Sequence, residues 1–63
     1  MPKTDVEVAL VGADGNAFAI IGTVSKALRR AGYADLATDF AREAMSGDYD
    51  HVLQTCMDYV HVS

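Results

Sequence analysis

The sequence predicts a small α+β domain of order β-α-α-α-β, with three helices packed on a two-stranded sheet. Three observations predict it. Val6–Val11 alternates apolar and polar positions, the pattern of a half-buried strand. Three segments with the apolar period of a helix then follow one another, separated by Gly32 and by Ser46-Gly47. Tyr59–Val62 alternates again, and the first strand needs a ladder partner for its backbone donors and acceptors. The alternative fold is mostly helical, three helices with one N-terminal strand. Residues 1–63 are expected to form a single domain, since a chain of 63 residues has no room for a second.

In the first strand Val6, Val8 and Leu10 point one way, with Glu7 and Ala9 the other. Asp14-Gly15-Asn16 reads as a turn into a helix, with Asn16 as N-cap. The first helix is expected over Ala17–Ala31. Ala17, Ile20, Ile21, Val24, Ala27, Leu28 and Ala31 share one half of its wheel, with Phe18 at the edge. Gly22, Thr23, Lys26, Arg29 and Arg30 take the other half, and the cations sit near the C-terminus, where the helix dipole favours them. Gly32 supplies a left-handed stop, and Tyr33 then falls where a Schellman ending packs back on Leu28.

The second helix is expected over Asp35–Met45, with Leu36, Ala37, Phe40, Ala41 and Ala44 as its apolar face. Asp48 caps the third, with Asp50 in its favourable first turn. Tyr49, Val52, Leu53, Cys56 and Met57 are read as its buried face; Asp50, His51, Gln54, Thr55 and Asp58 are read as its wet one. In the final strand Val60 and Val62 alternate with Tyr59 and His61. A two-stranded sheet has open edges, so self-association through an edge is an expectation.

Composition narrows the function classes. Hydrophobic residues make up 51% of the chain and charged residues 22%, enough to fold rather than stay disordered. A chain this short buries only about 60% of its unfolded surface, so its core is marginal. One cysteine excludes an internal disulfide framework. The longest apolar stretches, Val8–Val11 and Ala17–Ile21, fall far short of the roughly 20 residues that span a bilayer. No basic start followed by an apolar stretch marks a signal peptide. A soluble, cytoplasmic protein with no membrane segment is the expectation. The net charge of −4 is unevenly spread: residues 1–32 sum to +1 and residues 33–63 to −5. Such polarity suits oriented docking, or head-to-tail self-association.

No motif gathers the groups that catalysis needs. The Gly12–Asn16 loop lies between strand and helix, as phosphate-binding loops do. It lacks the lysine and hydroxyl of a P-loop and the third glycine of a dinucleotide motif, and Asp14 would repel a phosphate. A nucleotide binder or small enzyme using this loop ranks last. His51, Cys56 and His61 step five residues at a time, which fans them around a helix instead of converging on a metal. The same divergence argues against a Cys-His nucleophile pair. Asp48-Tyr-Asp50 could hold a divalent cation loosely, but a capped helix start explains it more simply. The expectation is no enzyme, no metal and no cofactor.

Two surface features stand out. Asp35, Asp39 and Glu43 recur at i, i+4 and i+8, an acidic ridge that Asp48, Asp50 and Asp58 extend onto the next helix. Like charges at that spacing each cost a helix a few tenths of a kcal/mol, and Arg42 relieves part of it. The second is a basic patch of Gly22, Lys26, Arg29 and Arg30. Glycine within a helix costs about 1 kcal/mol against alanine, and a close approach by the chain's own tail or by a partner would explain Gly22. Three cations without interleaved aromatics are a weak phosphate footprint, and a helix beginning Asp48-Tyr-Asp50 would be repelled from DNA.

At Asp14-Gly15-Asn16-Ala17-Phe18-Ala19-Ile20 and Ser46-Gly47-Asp48-Tyr49-Asp50-His51 the chain resembles a family of short uncharacterised bacterial and phage hypothetical proteins. The resemblance brings no catalytic residues. It implies only a context, a stand-alone accessory protein of a bacterial or phage genome; small acidic phage proteins often bind and block a host protein, and that analogy supplies the rest. The resulting expectation is a non-catalytic protein-interaction module that works through its acidic surface, with a protein partner. The alternative is a nucleic-acid-binding accessory protein using the basic end of the first helix.

Overall fold

The first strand does pair with the tail, and the pairing is parallel: β1 (Glu7–Val8) lies beside β2 (His61–Val62), with Glu7 opposite His61 and Val8 opposite Val62. Parallel neighbours need a long crossover. Here it consists of α1 (Ala17–Arg30), α2 (Ala34–Ala44) and α3 (Tyr49–Tyr59). The computed structural model describes residues 2–10 and 16–62; the expected turn at residues 12–15, Asp14 included, lies outside them. The domain is β-α-α-α-β, as the patterning predicts.

Val8 is buried, Val6 and Leu10 are half-buried against the core, and Glu7 and Ala9 are exposed. The strand is shorter than the alternation suggests, because a ladder cannot outrun its partner and β2 is two residues long. Its end differs from the expectation too. Tyr59 closes α3, Val60 turns into extended backbone, and Val62 is 40% exposed.

Asn16 caps α1: its Oδ1 accepts the Phe18 amide at 2.8 Å. Ile20, Ile21, Val24 and Leu28 are buried. The helix ends at Arg30, one residue early, and Ala31 is exposed. Gly32 at φ 93° permits the Schellman pair, Tyr33 N–H to the Leu28 carbonyl at 2.8 Å and Gly32 N–H to that of Arg29 at 3.1 Å. After this ending, α2 buries Ala37, Phe40 and Ala44 completely. Ser25 is buried as well, and its hydroxyl has no hydrogen-bond partner. An unbonded buried hydroxyl costs about 1–3 kcal/mol, and alanine is the better helix former. Ser25→Ala is therefore expected to raise the urea midpoint at unchanged slope, by about 1 kcal/mol. A lowered midpoint would mean that the hydroxyl is bonded.

On α3 the buried face is turned relative to the expectation. Val52, Thr55, Cys56 and Tyr59 are covered, whereas Tyr49 and Met57 remain 40% and 52% exposed. Thr55, read as wet from its type, is buried because its hydroxyl donates to the His51 carbonyl at 2.7 Å. A polar side chain that can satisfy itself on its own helix is free to face the core.

Candidate functional site

The acidic residues were the first candidates, and the structure gives several of them internal tasks. The Asp48 carboxylate accepts the His51 amide at 3.0 Å and so caps α3. Glu43 was expected to be a free member of the ridge. Instead its Oε2 accepts the Tyr59 hydroxyl at 3.0 Å, tying α2 to α3. Asp35, Asp39, Asp50 and Asp58 stay exposed. Glu43 and Asp48 are exposed as well, so all six acids remain at the surface, two of them with a carboxylate bonded within the fold.

Tyr59 is the centre of the junction between α2 and α3. Its ring meets Phe40 edge-on, centroids 5.4 Å apart, and Lys3 Nζ lies 4.5 Å above it. Burial pushes the phenol above its ordinary value; Glu43 beside it adds to the rise, and Lys3 partly opposes it. The residues before β1 complete the arrangement. Lys3 N–H donates to the Asp58 carbonyl at 2.9 Å, while Thr4 gives the Tyr59 carbonyl its N–H at 3.1 Å and its hydroxyl at 2.8 Å. These are last-turn carbonyls of α3 with no partner inside the helix. Sequence reasoning missed Thr4, because nothing local marks a residue whose partner lies 55 positions away.

At the other end of the same junction a serine meets a histidine. Ser46 Oγ and His51 Nε2 are 3.2 Å apart. The pair cannot act as nucleophile and base. Nε2 also lies 2.9 Å from the Glu43 carbonyl oxygen, which only accepts, so Nε2 carries the proton. Ser46 Oγ in turn donates to that carbonyl at 2.6 Å. Both groups finish the C-terminus of α2. Gly47 makes room for them, since a Cβ there would come within 2.6 Å of the His51 ring. His51, expected on the wet face, is half-buried as a result. Cys56 lies in the core, where burial pushes its thiol up, and His61 is exposed on β2. Among the described residues no three His, Cys, Asp or Glu side chains gather as metal ligands.

The basic patch is also placed. Lys26, Arg29 and Arg30 are exposed on the last turns of α1. Gly22 is exposed with nothing within 4 Å of where its Cβ would stand, so the expected approach of the chain's own tail does not occur.

What does converge is apolar. Phe18 at the start of α1, Met45 just after α2 and Tyr49 at the start of α3 surround an open hollow of about 270 Å³, floored by Ile21, Ala44 and Val52. Phe18 is 72% exposed and Met45 57% exposed. Among the described residues that line it, Asp48 is the charged one. Sequence reasoning put Phe18 at the edge of a face and Tyr49 inside one. Helical periodicity cannot tell which residues at the ends of three helices will meet. No family model, curated protein or solved structure matches this chain. No helix among the described residues is long and apolar enough to cross a membrane.

Proposed function

We propose that this protein is a non-catalytic binding module, a phage-type accessory protein that blocks or modulates a host protein through an acidic surface and the apolar hollow beside it. The observation that carries the reading is the exposed trio Phe18, Met45 and Tyr49 around one hollow. Exposed aromatics and methionine gathered at one spot are the composition of an interface core. The polar groups, by contrast, are spent on helix ends and on the α2–α3 junction. Among the described residues that line the hollow, the charged group, Asp48, is bonded to the His51 amide.

The test uses variants that leave the core alone. Wild-type protein and a Phe18→Ala, Met45→Ala double variant are immobilised, and host proteins retained by each are compared. The expected result is one partner retained by wild type and lost by the variant at an unchanged melting temperature. The same set of proteins on both would end the reading. The alternative, nucleic-acid binding through Lys26, Arg29 and Arg30, has three exposed cations in its favour. Three phosphate contacts give little affinity at physiological salt, and no gel shift is expected with micromolar protein.

A further inference from the structure

We infer that the uncovered face of α3, the stripe of Tyr49, Leu53 and Met57, receives a basic amphipathic helix of the partner protein. This rests on the reading of the protein as a binding module and names the chemistry of what it binds. Residues at i, i+4 and i+8 line one stripe of a helix. Here that stripe is apolar from end to end, yet Tyr49 and Met57 are 40% and 52% exposed and Leu53 is half-buried. The buried residues of α3 are Val52, Thr55, Cys56 and Tyr59, and Leu53 packs against the core with only part of its side chain. The helix therefore has a wider apolar face than its own fold covers. Tyr49 also borders the hollow with Phe18 and Met45, so the stripe continues into it. An exposed apolar stripe that runs into a hollow can receive an amphipathic helix through anchors at helical spacing.

Charge selects the occupant. Asp50, Gln54 and Asp58, each one residue after a stripe member, run beside the stripe and are exposed, and α3 contains no lysine or arginine. A second copy of the chain is disfavoured there. A two-fold contact sets the same patch against itself, and with the two α3 helices antiparallel it would bring Asp50 of one copy toward Asp58 of the other. Nucleic acid and anionic lipid are repelled by the same carboxylates. A helix with apolar anchors and flanking lysine or arginine satisfies both the stripe and its border.

The experiment titrates the isotope-labelled full chain with an amphipathic helical peptide of leucine and lysine, and with its leucine–glutamate counterpart. The lysine peptide is expected to move the amide resonances of Tyr49, Leu53 and Met57, and the glutamate peptide to leave them in place. Asp50→Lys with Asp58→Lys should weaken the lysine peptide about tenfold and admit the glutamate peptide. Met57→Ser, at an exposed site, should weaken both interactions without loss of fold. The inference is overturned if the lysine peptide leaves the stripe unmoved, or if both peptides bind equally. It is also overturned if duplex DNA, anionic vesicles or self-association moves the same resonances. Should the Phe18, Met45 variant lose a host partner while the lysine peptide leaves α3 unmoved, only this inference falls. If the peptide binds but no partner depends on Phe18 and Met45, the docking function falls instead.

Discussion

Phe40→Ala is expected to leave the chain without a cooperative unfolding transition at room temperature. Phe40 is fully buried, the largest side chain so placed, and its ring packs edge-on against Tyr59. Truncating such a phenylalanine costs about 3–5 kcal/mol, part transfer and part cavity. At the usual ~0.05–0.15 kcal/mol per residue, a chain of 63 residues holds roughly 3–9 kcal/mol in all. One side chain thus carries a large fraction of the total. Urea unfolding followed by far-ultraviolet circular dichroism checks it. Phe40→Leu, which keeps most of the volume, should retain a cooperative transition at a lower midpoint. A Phe40→Ala protein with an unshifted midpoint would mean that the core is not organised around this ring.

Tyr59 carries the second large effect, and it has two separable parts. Tyr59→Ala removes a ring that is 2% exposed and should cost about 3–5 kcal/mol. Tyr59→Phe keeps the ring and loses only the hydroxyl bond to Glu43, at about 1 kcal/mol. Their pH dependence differs as well. Burial raises the folded-state Tyr59 phenol above its ordinary 10.0, with Glu43 adding to the shift. Burial likewise raises the Cys56 thiol above 9.0. In both cases the unfolded chain releases its proton first, so it binds fewer protons than the folded chain. The contribution of each neutral group is complete below its unfolded value and is lost as pH rises through its folded value. Wild-type stability should fall above pH 9, first through Cys56 and then through Tyr59. In a Cys56→Ala background, Tyr59→Phe should flatten what remains. A decline that persists in the double variant would place the alkaline sensitivity elsewhere.

The two variants mark the boundary between what the chain declares and what its folding adds. Phe40 was legible, because helical spacing with Leu36, Ala37, Ala41 and Ala44 fixes which side of α2 is apolar. So were Asn16 and Asp48 as caps, and the Gly32 ending, since a cap bonds within a few residues of itself. Tyr59 was not. Its position looks like the start of an alternating strand, and its partners Lys3, Thr4, Phe40 and Glu43 come from distant parts of the chain. The acidic ridge was legible as a pattern but not as a site, because spacing along α2 cannot show that Glu43 is already taken by a hydroxyl on α3. The hollow was invisible for the same reason: Phe18, Met45 and Tyr49 belong to three different helix ends.

The amino-acid order by itself determined the number and sequence of elements, the stops of α1 and α2 and the uneven charge, because periodicity, capping and glycine conformation act over a few residues. Only the tertiary structure decided that the strands run parallel, that α3 turns Thr55 and Tyr59 inward, and that Tyr49 and Met57 are left in the open. Those outcomes depend on which distant groups satisfy one another's hydrogen bonds. A wheel drawn for one helix contains no information about its neighbours.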